Sequence, residues 1–399
     1  MPNFIPFHCA TIGDAEVQEV SSVLRSGWLT TGERAHRFEE DYCSYSGASH
    51  ALALNSGTAA LHLALVALDI GPGDEVISTP LTFCATINAI LHTGATPVLA
   101  DVDEHGNIDP ASITKRVTPR TRALLPVHLA GRVCDMDAIW RIAEAYKLHV
   151  VEDAAHAAGS SHHLRPLGAA SVSRSQVTAF SFYATKNITT GEGGMATTND
   201  PALAVRMRAL ALHGISKDAW NRYAQNGNWF YQVLEPGFKY NMSDIQAAIG
   251  IHQLKHIDEF AEARRRTAAA YTLAFRNLDE LETPSMSAGI ENSWHLYPLR
   301  LRLDQLQIDR AQFIEELRAR GIGTSVHFIP IPMHPCYWNW PTLAAEHCPR
   351  AMTLYPRLVS LPLYPSLSEE QVERVIEAVE DVAVRNRRPT LVASGSSSR

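Results

Sequence analysis

Several motifs that mark common enzyme classes are missing from this chain: it has no Walker A, G-x-G-x-x-G, H-E-x-x-H or G-x-S-x-G pattern. The usual NTPase, dinucleotide-enzyme, zinc-protease and serine-hydrolase readings are thereby set aside. Its six cysteines, Cys9, Cys43, Cys84, Cys134, Cys336 and Cys348, include no C-x-x-C pair, so neither a zinc site nor a disulfide framework is expected, and they read as reduced thiols. His162 and His163 are adjacent, a spacing ill-suited to sharing a metal from a regular element, and they read as a loop pair. No metal is expected. Positive charge is not concentrated: the formal net charge is −7, and the one basic cluster, Arg264 to Arg266, reads as the solvated face of a helix. Small molecules are expected partners and nucleic acid is not. The most apolar stretch, Ala59 to Leu68, is too short to span a bilayer and is broken by His62, while the first sixteen residues show no basic segment leading into an apolar one. No membrane contact is expected, and the cytoplasm is the default location.

What remains is a chain of 399 residues, 46% hydrophobic and 19% charged, long enough for roughly two domains. From about Ala51 to Thr198, short apolar runs alternate with helix-like periodic segments, which is the grammar of an α/β domain with a largely parallel sheet. In "DMDAIWRIAEAYKLHVVED" a helix with Ile139, Ile142, Ala143 and Tyr146 on one face is followed by a buried strand. "MSDIQAAIGIHQLKHIDEFAEARRRTAAAYTLAF" opens on a capping box, Ser243 with Gln246, and is expected to run as a long helix connecting two domains. Beyond it, Leu299 to Leu303 and Gly323 to Phe328 are expected strands, and Ser368 with Gln371 caps a helix carrying Val372, Val375, Ile376 and Val379. The expected division is a large domain over 1–255 with an N-terminal arm, a smaller α+β domain over 256–386 and a disordered tail over 387–399.

In "SFYATKNITTGEGG" a single lysine, Lys186, sits where a strand should end. A desolvated amine becomes a nucleophile, and its commonest covalent use is a Schiff base with a carbonyl group. Taken alone, a loop lysine is a surface lysine. The apolar Val150 and Val151 should deliver Asp153 to the carboxyl end of a strand, where open α/β sheets bind ligands. A carboxylate there can hold a pyridinium proton or cap the next helix. His156 could reach a ring hydroxyl or be only a helix residue. "NSGTAALHLAL" offers Ser56, Gly57 and Thr58 at a helix start, where a phosphate binds, and Ser181 adds a hydroxyl. Phe83 could lie on a cofactor ring or belong to the core.

Taken together, these segments resemble the DegT/StrS family of sugar aminotransferases, pyridoxal-phosphate enzymes of fold type I. The likeness runs from "RSGWLTTGERAHRFEEDY" through "TPLTFCATINAILHTGATPVLADVD", "VVEDAAHAAG" and "SFYATKNITTGEGGM" to "GFKYNMSDIQAAIG", "VHFIPIPMHP" and "LPLYPSLSEEQVERV". The resemblance implies that Lys186 carries pyridoxal 5'-phosphate, with pyridoxamine 5'-phosphate as the intermediate form. Asp153 would pair with the pyridine nitrogen and His156 lie near the ring hydroxyl; Gly57, Thr58 and Ser181 would bind the phosphate, and Phe83 would stack on the ring. It also implies a homodimer with active sites at the interface, where Asn241 of the neighbouring subunit reaches the phosphate. Many relatives read G-Y-N-Y-R-M at this segment, so Lys239 and Asn241 depart from the usual pattern. Trp28, Thr30, Thr31 and His327 are expected to face the substrate, or else to be a capped loop and a small-domain strand. The implied reaction moves the amino group of L-glutamate onto a nucleotide-linked keto sugar. The long loop from His213 to Asp244 resembles that of enzymes acting at C4 of UDP- or dTDP-4-keto-6-deoxy sugars. Cyclitol and aminohydroxybenzoate branches keep the lysine and stay open, as does a regulator that binds the cofactor without turnover.

Overall fold

The computed structural model describes residues 4–168, 176–215, 230–285 and 290–389. The expected tail falls beyond these residues from position 390 on, as does the middle of the long loop, 216–229.

Strands β1 (His50–Leu54), β2 (Glu75–Ser78), β3 (Thr96–Leu99), β4 (Thr121–Leu124) and β5 (His149–Asp153) alternate with helices, as the apolar periodicity requires. A short hairpin, β6 (Ser161–His162) and β7 (Arg165–Pro166), precedes β8 (Val177–Ser181) and β9 (Gly194–Thr198). Seven of these strands form one sheet in the order β1-β9-β8-β5-β4-β2-β3. Its pairs are parallel from β8 through β3, and β9 alone runs antiparallel to both neighbours. The sheet is buried on both faces because successive side chains point to opposite sides: Val76 enters one core with Leu54 and Leu63, and Ile77 the other with Leu124 and Val150. Helix Met136–Tyr146 buries Met136, Ile139, Trp140 and Ala143, whereas the expected Tyr146 is exposed at the end of its turn.

A second sheet contains β10 (Leu281–Glu282), β12 (Tyr297–Leu301) and β13 (Leu358–Leu361), ordered β10-β12-β13 and antiparallel throughout. Between the first two of these, β11 (Ile290–Glu291) pairs with β6. Side chains from helices Ile257–Phe275, Arg310–Ala319 and Glu369–Arg385 close a third core over the second sheet, with Tyr271, Phe313 and Val375 at its centre. Residues 323–328 do not form the expected strand; only Ser325 bridges to the sheet, at Ser360.

The expected long helix is two helices, Asp244–Lys255 and Ile257–Phe275, broken at His256. Packing decides the break: the first segment lies on the two N-terminal helices, Asp14–Ser26 and Glu33–Ser46, while the second keeps Ile257 and Phe260 on the core it shares with the first and carries Ala268, Tyr271 and Phe275 to the third core. Both expected capping boxes, Ser243 with Gln246 and Ser368 with Gln371, are formed. Arg264 contradicts the solvated reading of the basic cluster. It is only 2% exposed and donates through Nη1 to the carbonyl of Asn187 at 3.2 Å.

Candidate active site

A cavity of about 550 Å³ opens at the carboxyl edge of the central sheet. There β5 ends on Asp153, as the paired apolar residues before it require. This carboxylate is 5% exposed and accepts two hydrogen bonds, from the Thr86 hydroxyl at 2.8 Å and the Ala155 N–H at 3.1 Å. Burial pushes its pKa up, and the Thr86 bond is the first of the effects that oppose the rise.

Lys186 reaches the same cavity from the segment after β8. Its backbone N–H closes a turn onto the Tyr183 carbonyl at 2.9 Å. The protein around it desolvates the amine and lowers its pKa from 10.5 to about 8, with the Asp153 charge opposing the fall. An amine in this range is partly neutral, and hence nucleophilic, at ordinary pH.

The helix Gly57–Ala67 aims its N-terminus at this space, with the Ser56 hydroxyl capping it by accepting from the Ala59 N–H at 3.1 Å. Gly57 is needed for the close approach to β8: a Cβ here would lie 2.8 Å from the Ser181 Cβ. Gly57, Thr58 and Ser181 all line the cavity, and the helix end supplies backbone donors and a positive field to an anion.

His156 is buried beside Asp153's strand, and its Nδ1 accepts from the Ala130 N–H at 3.3 Å. That bond assigns the ring proton to Nε2, leaving a donor. Burial holds the ring far below its usual pKa, so it is neutral. Phe83 lines the cavity and is 60% exposed. His327 is a wall residue too; its Nδ1 meets the Ser360 hydroxyl at 2.9 Å, and burial lowers its pKa to about 4.

Trp28, Thr30 and Asn241 do not line this cavity. They form a cluster of their own: Asn241 donates to the Thr31 hydroxyl at 2.6 Å, the Trp28 indole to the Thr31 carbonyl at 3.1 Å, and the Asp244 N–H to the Thr30 carbonyl at 3.2 Å. Sequence reasoning missed Thr86, Tyr183, His295 and Phe328, which also line the cavity. Thr86 was findable, since it stands in the first turn of the helix opened by Phe83. His295 and Phe328 reach the site only through the tertiary fold, where the His156 ring lies 4.3 Å from one and stacks at 5.5 Å on the other.

The model of the DegT/DnrJ/EryC1/StrS aminotransferase family matches residues 10–380. The spore coat polysaccharide biosynthesis protein SpsC of Bacillus subtilis is 50% identical over 382 residues, covering 95% of this chain and 97% of its own. Spr1654 of Streptococcus pneumoniae, solved in its pyridoxal-phosphate form, superposes with a TM-score of 0.88 at 33% identity over 96% of this chain and 99% of its own. DesV of S. venezuelae, solved with a ketimine intermediate, gives 0.84 at 37% identity over 92% and 94%.

Proposed function

Because the chain belongs to the DegT/DnrJ/EryC1/StrS aminotransferase family and is a pyridoxal-phosphate-dependent enzyme of fold type I, we propose that it moves the amino group of L-glutamate onto a nucleotide-linked keto sugar. The carbon aminated is C4 of a UDP- or dTDP-4-keto-6-deoxyhexose. One observation carries the reading: a single cavity joins a desolvated lysine, a buried carboxylate and an open helix N-terminus.

These groups fit the cofactor, since each of its polar ends meets a complementary one. When bound, pyridoxal phosphate supplies an electron sink through its charged ring. Asp153 Oδ would hold the proton on the ring nitrogen, and the hydrogen bond Thr86 donates favours the charged carboxylate against the effect of burial. His156 Nε2–H would donate towards the ring hydroxyl. The N–H groups of Gly57 and Thr58, with the Ser181 hydroxyl, would bind the phosphate. Lys186 Nζ would hold the cofactor, and its amine is the group that would take the proton from Cα of the amino donor and hand it on. Neutral His327 faces the remaining space as a hydrogen-bonding partner for the sugar. The name of the spore-coat polysaccharide relative supports a carbohydrate substrate.

The enzyme acts as a cytoplasmic homodimer. Phe83 and Tyr183, on the cavity wall, are 60% and 46% exposed, and such apolar surface at a site calls for a cover. In the dimer, Asn241 of the partner subunit reaches the phosphate, and Trp28 and Thr30 face the substrate.

The test is the visible absorbance of the cofactor-loaded protein. The band should fade with L-glutamate and return with one member of a panel of UDP- and dTDP-4-keto-6-deoxy sugars. Lys186→Ala turning over glutamate at the wild-type rate would overturn the assignment of the base. A return of the band only with a cyclitol ketone would overturn the sugar assignment.

A further inference from the structure

We infer that Asp137, His162 and His163 form a binding site for one divalent transition-metal ion of zinc's class, where the β6–β7 hairpin meets the helix Met136–Tyr146. None of the three lines the active-site cavity.

In a regular strand, adjacent residues point to opposite faces, which is why the sequence gives no expectation of two cooperating histidines. The hairpin turn changes this. His163 and Leu164 both adopt left-handed backbone angles, φ 50° and 63°, the conformation of a tight two-residue hairpin turn. Histidine tolerates this conformation, whereas Leu164 is held in it against its own preference. It turns the second imidazole back over the first, with ring centroids 4.1 Å apart.

Both rings then meet one carboxylate from the start of the facing helix. His163 Nε2 lies 2.9 Å and His162 Nε2 3.8 Å from the same oxygen, Asp137 Oδ2. All three ligand atoms fall within 4.8 Å of one another, and among the described residues this is the group of three that converges in this way. Metal–ligand bonds of roughly 2.0–2.2 Å to nitrogen and oxygen need donor atoms about 3.2–3.6 Å apart in a tetrahedral set. Small rotations reach that spacing, because the Asp137 and His163 side chains are 47% and 59% exposed and free to adjust.

His162 supplies the independent observation. It is 6% exposed, its Nδ1 has no hydrogen-bond partner, and its Nε2 stands too far from the carboxylate for a hydrogen bond. An imidazole buried without partners is costly. Two imidazoles and a carboxylate are the donor set of zinc, cobalt and nickel rather than of calcium or magnesium. The exposed side of the group leaves a position for water, so the ion exchanges with solvent.

Binding would also tighten the path to the active site. The hairpin pairs with β11, and the residues between them and the cavity are tied by the Ser160–Ser293 hydroxyl bond at 2.8 Å, two residues before His295.

The test uses untagged, cofactor-loaded protein dialysed free of metal and titrated with Zn²⁺ by calorimetry, with Co²⁺ as the spectroscopic probe. One Zn²⁺ per chain is expected, raising the unfolding temperature and giving a visible Co²⁺ band. His163→Ala and Asp137→Asn, both at exposed positions, should each weaken binding about tenfold or more and lose the thermal shift. Wild type that retains no zinc, or zinc that binds both variants as tightly as wild type, would overturn the proposal. The glutamate half-reaction, read in the same samples, reports separately on the proposed activity.

Discussion

Replacing Gly57 by alanine tests the phosphate cradle at its tightest contact. The added Cβ would stand 2.8 Å from the Ser181 Cβ, 3.2 Å from its Cα and 3.3 Å from the Phe180 carbonyl oxygen. Ordinary carbon contacts lie at about 3.5–4.0 Å, so the nearest pair is short by roughly 0.7–1.2 Å. None of the three opposing atoms is the free end of a flexible side chain; all belong to β8 or sit directly on it. The helix start must therefore move away from the strand, taking the Gly57 and Thr58 N–H groups off their target. Overpacking of this kind costs about 1–3 kcal/mol, whereas the gain from removing a glycine's freedom in the unfolded chain is about 0.4–1 kcal/mol. The two partly cancel in overall stability but not in cofactor binding, which feels only the displacement. Titration of the apo-protein with pyridoxal phosphate, followed by absorbance, should show affinity down by about 10–100-fold, or roughly 1.4–2.7 kcal/mol. The unfolding temperature of the apo-protein should shift little. An affinity within twofold of wild type would refute the cradle.

Thr86→Val keeps the shape of Thr86 and removes the donor to Asp153; the glutamate half-reaction, followed by stopped-flow absorbance, should slow about tenfold or more and recover in Thr86→Ser. Lys186, with its folded pKa near 8 against an ordinary 10.5, binds fewer protons in the folded apo-protein than in the unfolded chain across that window. The apo-protein should therefore lose stability as pH falls from 10.5 towards 8, and cofactor capture should quicken as pH rises through about 8. Lys186→Met should abolish both trends. His327→Ala should raise KM for the keto sugar about tenfold while leaving the glutamate half-reaction near wild type; equal losses in both half-reactions would show that His327 acts on the cofactor instead.

The parts of the fold written in contiguous sequence were legible. The βαβ alternation, the two capping boxes and the residues Gly57, Asp153, Ser181 and Lys186 each depend on a strand ending or a helix beginning a few positions away. His295 and Phe328 depend on which distant segments the fold brings together, and no local spacing encodes that arrangement. The break at His256 was hidden for a related reason: both flanking segments have helical sequence, and only the tertiary packing, which carries the second helix from the core it shares with the first at Ile257 and Phe260 to the third core at Ala268, Tyr271 and Phe275, requires it.

Arg264 shows that a signal can be present and still be outweighed. In helix Ile257–Phe275 the buried positions include Ile257, Phe260, Ala261, Arg264, Ala268, Tyr271 and Phe275, and position 264 falls on that stripe at three- and four-residue spacing. Its periodicity places it inside; its charge suggests the surface, and the run of three arginines reinforces the suggestion. Periodicity was the better guide, because a guanidinium can be buried if its donors find carbonyls, and one does, at Asn187. Burial pulls the pKa of Arg264 down to about 9, and among the described residues no carboxylate is paired with it. An uncompensated buried charge is expensive. Its one described bond clasps the carbonyl of the residue after Lys186, so the cost is incurred where the helix fixes the segment carrying the reactive amine.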